Sequence, residues 1–309
     1  MHHITDSMVD SLVDPKEAQR ILHDAFSAFG AGAAAMQTRV RTEAEGVKLS
    51  TLGAVIPGQG VVGAKVYTTI KGQFSFVIVL FCARTGVPLA TLEAGAITRL
   101  RTAACSVIVG KRLAVPSSKR LGLFGAGTQG IEHAVQFSQA FPIEEIWIQD
   151  PKGATPLFER LAERTGTQVR AADAADIAAH ADILITASRS TTPLFRGDEL
   201  RPGTFIAAIG SSLPHTRELD DATLAKARAV VVEWKTQSFA EAGDLIQAAP
   251  ALHLNDKTYE VPDVLNGTCA RVQPDDVFIY KSVGVGLEDI ALAGYAYRQF
   301  IAGLADAAA

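Results

Sequence analysis

The pattern of apolar and polar residues divides the chain into a β-rich first third and a long segment in which strands alternate with helices. After Asp14-Pro15, a favourable helix start, residues 15–29 carry apolar side chains at helical spacing. Apolar segments separated by Gly and Pro turns then predict strands at 36–41, 47–56, 63–70, 74–82 and 88–93. The run Phe76–Phe81 is apolar without alternation, so we expect both faces of that strand to be covered.

A helix predicted at 96–113 leads into the second pattern. From Lys119 onward, helical segments alternate with strands at 121–124, 146–148, 168–171, 181–187, 204–210, 227–234 and 275–283. This alternation predicts a parallel sheet, and an amphipathic closing helix at 288–302 should pack back on the β-rich region. At 309 residues the chain is long for a single core. We therefore expect two domains, 1–117 completed by 287–309, and 118–286.

The turn Gly125-Ala126-Gly127-Thr128-Gln129-Gly130 joins a predicted strand to a predicted helix, and Asp150 follows the next strand 20 residues after Gly130. This order is the dinucleotide fingerprint: a tight turn, a glycine that lets the pyrophosphate approach, and a glycine for helix–strand packing. The helix N-terminus adds N–H groups for the phosphates. Asp150 should bind the adenosine ribose and favour NAD(H), although Lys152 nearby leaves NADP(H) open.

Composition excludes several other function classes. The net charge of −4, without a Lys/Arg block, gives no electrostatic footprint for nucleic acid. Cys82, Cys105 and Cys269 are widely spaced and have no metal-ligand spacing, as expected for reduced thiols in the cytoplasm. The N-terminus does not resemble a signal peptide, and no apolar run approaches the roughly 20 residues that cross a bilayer. We expect a cytoplasmic protein with no nucleic-acid partner, membrane partner or metal.

Several further segments carry a family resemblance. They are Gly63-Ala64-Lys65, Thr85-Gly86-Val87-Pro88, Ile97-Thr98-Arg99-Leu100-Arg101-Thr102-Ala103-Ala104, Ile209-Gly210-Ser211-Ser212-Leu213-Pro214, Glu218-Leu219-Asp220 and Lys281-Ser282-Val283-Gly284-Val285-Gly286-Leu287-Glu288-Asp289. With the glycine turn, they make the chain resemble the ornithine cyclodeaminase/mu-crystallin family. The resemblance implies an α/β protein with a Rossmann-type doubly wound parallel sheet and a second α+β domain for substrate binding and dimerisation. It also implies a homodimer that acts on small amino or imino acids.

The resemblance assigns site residues to both domains. The substrate carboxylate would be held by Arg41, Lys65 and Arg101, cations suited to a planar anion. Arg39 alternates with Arg41, so a register shift of two residues would exchange them. On the cofactor side, Thr102 would bind a phosphate. Thr186, Ala187 and Ser188 would border the nucleotide at a strand end, and Val283 and Gly284 would lie near the nicotinamide.

Two positions depart from the family's cyclodeaminases, which carry a catalytic aspartate where this chain has Ser212 and a lysine where it has Thr216. A serine hydroxyl is a poor base without a partner, so both changes disfavour ammonia loss. Mu-crystallin-like reductases of the family resemble this chain at the serine. Lys65 and Ser212 are then the candidate catalytic residues, as a proton source and as a hydrogen-bond partner of the ring nitrogen. We interpret His215 as solvent-facing, and Asp289 either as a pocket residue or as a helix cap.

The resulting prediction is an NAD(P)H-dependent reductase of cyclic imino acids, which converts 1-pyrroline-2-carboxylate or 1-piperideine-2-carboxylate to L-proline or L-pipecolate. Three alternatives stay open. They are an alanine dehydrogenase acting on pyruvate and ammonia, a lyase with tightly held NAD (an ornithine cyclodeaminase or a hydroxyproline dehydratase), and a non-catalytic binding protein.

Overall fold

The computed structural model describes residues 1–149 and 155–308, which form two compact units. The first unit comprises Met1–Cys105 and Gly284–Ala309, and the second comprises Ser106–Val283. The helix Gly95–Leu113 contributes to both units, and the domain boundaries expected from the sequence remain predictions. Within the described residues, no helix is both long and apolar enough to span a membrane.

The first unit begins with a strand and two helices and continues through a strand-rich region. Its elements are β1 (His2–Ile4), α1 (Asp6–Leu12), α2 (Pro15–Gly30), β2 (Ala35–Met36), β3 (Val40–Ala44), β4 (Val47–Ile56), β5 (Val61–Ile70), β6 (Gln73–Cys82) and β7 (Pro88–Glu93). The predicted start of α2 is confirmed, because Asp14 accepts a hydrogen bond from the Lys16 N–H and Pro15 occupies the first turn. The capped turn fixes where the first long helix begins.

The predicted single strand at 36–41 is wrong, since it is divided into β2 and β3. Met36 pairs with Ala54, whereas Val40 pairs with Thr51, so the chain takes four steps where its partner strand takes three. One residue is therefore extra, as in a β-bulge, and such irregularities re-aim side chains. Arg39 lies in this irregular stretch.

The strands of the first unit form one mixed sheet in the order β1-β7-β6-β5-β4-β2, with β3 also paired to β4. Only β1 and β7 are parallel; the other pairs are antiparallel. Ser50, Leu52, Ala54 and Ile56 alternate along β4 and are buried, as expected for a strand with one covered face. The closing helix, Gly286–Ala308, packs on β4 and β5 as expected, and it is longer than the predicted 288–302.

The opposite face of this sheet is apolar and open in the single chain. Val40, Leu49, Val55, Ile70 and Val77 are each between 39% and 58% exposed. The expectation that both faces of Phe76–Phe81 are covered is therefore wrong for the isolated chain: Ile78 and Leu80 are fully buried, but Val77 on the other face is not. Side chains alternate along a strand, and of the two faces it is the one with Ile78 and Leu80 that is buried, while the closing helix packs against this strand.

The second unit is a doubly wound α/β domain. After α3 (Gly95–Leu113), its elements are β8 (Arg120–Phe124), α4 (Thr128–Ala140), β9 (Glu145–Gln149), α5 (Thr155–Thr165), β10 (Gln168–Ala171), α6 (Ala174–His180), β11 (Ile183–Thr186), β12 (Phe205–Ala208), α7 (Asp221–Lys226), β13 (Ala227–Val232), α8 (Lys235–Glu241), α9 (Gly243–Ile246), β14 (Thr258–Glu260), α10 (Val261–Leu265) and β15 (Val277–Lys281). The closing helix, which belongs to the first unit, is α11 (Gly286–Ala308). The seven strands predicted between 121 and 283 are all present, whereas β14 and the helices α8, α9 and α10 were not predicted.

These strands form an all-parallel sheet in the order β10-β9-β8-β11-β12-β15-β13-β14. The strand order reverses at β8, which lies between β9 and β11. In open parallel sheets, ligands bind in the crevice beyond the carboxyl ends of the strands at such a reversal. The predicted fold class, a Rossmann-type sheet with a second α+β region, is confirmed.

Candidate active site

The glycine turn after β8 is closed on its inner side and open at the helix start. Gly125 has φ of +95°, and a Cβ there would lie 2.6 Å from the Ala187 carbonyl oxygen. A Cβ on Gly130 would lie 2.0 Å from the Gly125 carbonyl oxygen, so neither position accepts a side chain. Gly127 caps α4 without a side chain and has open space beside it. The cradle, with the N–H groups of Thr128 and Gln129 at the helix start, fits a pyrophosphate.

The carboxyl end of β11 lies against this turn. The Ala187 N–H donates to the Phe124 carbonyl at 2.8 Å, which holds the two segments together. The Thr186 hydroxyl donates to Glu218 Oε2 at 2.8 Å, and the Ser188 N–H and hydroxyl each donate to Glu218 Oε1 at 2.7 Å. Two of the three predicted cofactor residues therefore use their side-chain hydroxyls within the protein, and Ala187 presents backbone to the turn. Asp150 and Lys152 lie outside the described residues.

A second site lies in the first unit, where a buried lysine contacts a buried carboxylate. Lys65, on β5, is 3% exposed. Its Nζ donates to Thr98 Oγ1 at 2.5 Å and to Asp289 Oδ1 at 3.1 Å, and lies 4.5 Å from the centre of the Phe76 ring. Buried lysines of this kind are uncommon outside binding and catalytic sites.

Arg101, on α3, shares the same acidic partner. Its Nε lies 3.3 Å from Asp289 Oδ1, and its Nη1 donates to Glu288 Oε2 at 2.6 Å. Lys65 and Arg101 therefore meet at one carboxylate oxygen. Glu288 and Asp289 are fully buried in the first turn of α11, where the helix dipole favours negative charge. Two cations and two carboxylates balance one another in this cluster.

Gly284 passes close to the arginine. Its φ is +74°, and a Cβ there would lie 2.6 Å from Arg101 Nη1 and Nη2, so this position requires glycine. The Gly284 carbonyl accepts a hydrogen bond from Arg39 Nη2 at 2.8 Å. Just before it in sequence, within the second unit, the Val283 N–H donates to Glu233 Oε1 at 3.1 Å. The bulge between β2 and β3 thus brings Arg39 beside Gly284. Arg41 lies on β3 and pairs with Ser50 of β4, and its role stays a prediction.

The profile of the ornithine cyclodeaminase/mu-crystallin family matches residues 1–303. The chain belongs to this family.

Solved structures of relatives cover nearly the whole chain. A probable ornithine cyclodeaminase from Bordetella pertussis Tohama I is 62% identical, with a TM-score of 0.97 over 98% of each chain. The Δ1-pyrroline-2-carboxylate reductase of Thermococcus litoralis, in complex with NADH and L-proline, is 27% identical, with a TM-score of 0.92 over 98% of each chain. An archaeal alanine dehydrogenase dimer with bound NAD is 26% identical, with a TM-score of 0.91 over 98% of this chain and 97% of the other. Relatives of this family member therefore bind NAD(H).

The lysine of this family member has an altered acidity. Burial lowers the pKa of Lys65 to about 8, an effect that Arg101 and Arg39 reinforce and that Asp289 opposes. A pKa in this range lies close enough to neutral pH for a group to give up a proton during turnover. The sequence indicates the lysine, but its acidity depends on burial and on Asp289, which is 224 positions away in the sequence.

The remaining predicted site residues of this family member lie at different places in the structure. Ser212 is half-buried after β12, its N–H donates to the Gly210 carbonyl at 3.0 Å, and no hydrogen bond of its hydroxyl is seen within 1–149 and 155–308. Thr102 is buried in the first unit, and its hydroxyl donates to the Thr98 carbonyl at 2.6 Å. His215 is exposed. Asp289 contacts both Lys65 and Arg101, so it does more than cap α11.

The sequence did not assign a role to Glu218 or Glu288. Both occur in segments that carried the family resemblance, which was the available signal. Each is fully buried, and each has a partner far away in the chain, Thr186 for Glu218 and Arg101 for Glu288. Periodicity reports which face of an element is buried, and it does not report which distant polar group meets a buried carboxylate.

Proposed function

We propose that this protein uses NAD(P)H to reduce the C=N bond of a small cyclic imino acid, with L-proline or L-pipecolate as the product. The observation that supports this function best is the buried pair of Lys65 and Arg101, both of which contact Asp289. A preorganised pair of cations suits a single carboxylate in a pocket from which water is excluded. The Thermococcus litoralis relative that holds NADH and L-proline supports the same substrate class.

In this proposal Arg101 binds the substrate carboxylate through its planar guanidinium, and Lys65 neutralises the remaining charge. A bound reduced nicotinamide would supply the hydride that the imine carbon takes up. Lys65 supplies the proton that the ring nitrogen takes up, so C=N becomes CH–NH and the lysine is reprotonated from water. Ser212 hydrogen-bonds the ring nitrogen. Glu288 and Asp289 keep the two cations in place between turnovers.

We propose that the cofactor binds at Gly125–Gly130 and at Thr186, Ala187 and Ser188. Thr102 would hydrogen-bond a phosphate, and Val283 and Gly284 would lie near the nicotinamide. Asp150 would bind the ribose hydroxyls and repel a 2′-phosphate, so we propose a preference for NADH. A steady-state comparison of the two cofactors tests this preference. A much higher kcat/KM with NADPH would contradict it.

Two other activities are supported by relatives. The Bordetella pertussis relative is a probable ornithine cyclodeaminase, and the archaeal relative is an alanine dehydrogenase. The half-buried hydroxyl of Ser212 argues against ammonia elimination, because it does not carry the charge of a carboxylate. Reduction of an imine formed from pyruvate and ammonia would use the same cations as reduction of a cyclic imine.

A substrate panel separates these activities. Purified protein is given each cyclic imine with NADH or NADPH, pyruvate with ammonia and NADH, or ornithine with NAD. Nicotinamide absorbance and product analysis are recorded for every mixture. The proposal expects cofactor oxidation with a cyclic imine and formation of the corresponding amino acid. Ammonia release from ornithine without net change in NADH, or turnover restricted to pyruvate and ammonia, would contradict it.

The pH dependence follows from the Lys65 acidity. Protonated Lys65 is required, and its pKa is about 8, so kcat/KM should be high below that pH and fall as the pH rises through it. Asp289 raises the pKa of Lys65, so Asp289→Asn should move the alkaline limb to lower pH, by about one unit. Profiles of kcat/KM for both proteins check this. A limb that moves to higher pH in the variant would contradict the assignment.

We further propose a homodimer formed through the open apolar face of the mixed sheet. Val40, Leu49 and Val77 lie on that face, and exposed apolar patches of this kind mark interfaces. The archaeal relative is a dimer. The missing cover over Phe76–Phe81 would then come from the same face of a second copy.

Val77→Glu should therefore dissociate the dimer, because an unpaired charge buried twice in a symmetric interface costs at least about 3 kcal/mol, or roughly a hundredfold in dissociation constant. Sedimentation velocity at micromolar concentration measures the change. Val272→Glu is the matched control, since Val272 is 61% exposed in the second unit. A Val77→Glu protein that sediments like the parent would contradict the proposed interface.

A further inference from the structure

Five hydrogen bonds converge on one buried carboxylate of the second unit. Glu218 Oε1 accepts from the Ser188 N–H and hydroxyl, both at 2.7 Å. Glu218 Oε2 accepts from the Thr186 hydroxyl at 2.8 Å, the Gly210 N–H at 2.8 Å and the Ser211 N–H at 3.2 Å. The donors are the last residue of β11 and residues that follow β11 and β12, so this side chain connects the carboxyl ends of two neighbouring strands.

The arrangement requires both oxygens to be acceptors. Each oxygen receives at least one backbone N–H, which cannot rotate away as a hydroxyl can. A glutamine in either amide orientation would place its NH₂ group against one of these N–H donors. The backbone of Glu218 is also fixed, because its N–H donates to Asp244 Oδ1 at 2.7 Å. Asp244 Oδ2 lies 3.2 Å from Nζ of the fully buried Lys281, the last residue of β15.

The segments that Glu218 joins also touch the glycine turn. A Cβ on Gly210 would lie 2.1 Å from the Ser188 carbonyl oxygen, so the ends of β12 and β11 are in direct backbone contact. Ala187 lies against Gly125 in the same way, at 2.6 Å from a Cβ there. A displacement of the Ser188 segment would therefore shift the surface against which the turn is packed. Close-packed backbone of this kind transmits small shifts.

We propose that Glu218 is a positioning residue for the dinucleotide. It holds the segments after β11 and β12 in the conformation that the cofactor binds, without contacting the cofactor itself. This inference rests on the assignment of the nucleotide site to the glycine turn and the end of β11. Catalytic sites depend on such supporting contacts, because a misplacement of about 1 Å can cost a hundredfold in activity.

The test is Glu218→Gln, with Asp182→Asn as its matched control. Asp182 accepts the Lys119 and Arg120 N–H groups at 2.8 and 2.9 Å and pairs with Arg201, and it precedes β11 at the amino end of the strand. Both changes replace a carboxylate that accepts hydrogen bonds from neighbouring strands of the same sheet. Asp182 does so at the amino end of β11, and Glu218 does so at its carboxyl end. The dissociation constant for NADH is measured by nicotinamide fluorescence, and folding by circular dichroism. Amide hydrogen exchange is recorded without cofactor.

Glu218→Gln should raise the NADH dissociation constant at least about tenfold, since a buried donor is left without an acceptor. In the cofactor-free protein, the Ser188, Gly210 and Ser211 amides should exchange faster. Asp182→Asn should bind NADH like the parent. Equal NADH affinity of the parent and Glu218→Gln would overturn the inference alone, whereas a parent that binds neither NADH nor NADPH would overturn the nucleotide site itself.

If Glu218→Gln does not fold, Thr186→Val carries the test. It removes one of the three donors to Oε2 and keeps the side-chain shape. Because Thr186 also borders the proposed nucleotide site, the deciding measurement for this variant is amide exchange in the cofactor-free protein, where the Gly210 and Ser211 amides should exchange faster than in the parent. Unchanged exchange of these two amides would overturn the positioning role.

Discussion

Replacing Lys65 by methionine is expected to lower kcat/KM for imine reduction by about a thousandfold. Loss of a positioned proton donor alone costs about 10²- to 10⁴-fold, and the substrate carboxylate also loses one of its cations. Methionine matches the length of the lysine stem, so packing against Phe76 is retained. The decrease should appear mainly in kcat, with an unchanged dissociation constant for NADH, since Lys65 lies in the first unit and the glycine turn in the second.

Lys48→Met is the matched control for this prediction. Lys48 lies on the neighbouring strand β4, where it pairs with Glu43 at 2.9 Å on the surface. Exposed pairs of this kind contribute at most about 1 kcal/mol, so activity should stay within about twofold of the parent. A Lys65→Met protein that keeps more than a third of the parental kcat/KM would show that Lys65 is not the proton donor. Thermal unfolding of both variants verifies that the fold is intact.

The two halves of the candidate site differ in how far the sequence predicts them. The glycine turn is local: strand, turn and helix follow one another within about twenty residues, and the glycine spacing that marks the turn lies inside that stretch. The cation cluster depends on contacts across the chain, since Lys65 meets Asp289 and Arg101 meets Glu288. Resemblance to a family pointed to the cations, but it did not pair them with the carboxylates of α11.

The choice between Arg39 and Arg41 shows a second reason why the sequence predicts only part of the candidate site. Alternation along a strand assigns both arginines to the same face. The extra residue between β2 and β3 interrupts that alternation and turns Arg39 towards Gly284. A bulge of one residue has little signature in composition, so periodicity alone does not resolve it.

The open sheet face gives the opposite case, in which the sequence predicts more burial than a single chain provides. The apolar run Phe76–Phe81 predicts two covered faces, whereas the single chain covers only the side of Ile78 and Leu80. Burial patterns in a sequence reflect the assembled protein, so an apolar face without a cover is itself evidence for a partner surface. The proposed homodimer accounts for this difference.

Replacing Gly127 by alanine should separate cofactor binding from folding. At this position a Cβ meets nothing within 4 Å and φ is −79°, so the cofactor-free protein accepts the methyl group with a stability change below about 1 kcal/mol. The same methyl group would occupy the open side of the turn, where the pyrophosphate should approach the backbone. The dissociation constant for NADH should therefore rise about a hundredfold, or about 2.7 kcal/mol.

Titration of nicotinamide fluorescence measures the binding of Gly127→Ala, and thermal unfolding measures its stability. Gly58→Ala is the control, because Gly58 also has open space around an added Cβ and lies in the turn Pro57–Gln59 of the first unit. It should match the parent in both measurements. Gly130→Ala should fail in both, since its Cβ would lie 2.0 Å from the Gly125 carbonyl oxygen. If Gly127→Ala binds NADH as tightly as the parent, the pyrophosphate does not lie at this turn, and the cofactor assignment is wrong.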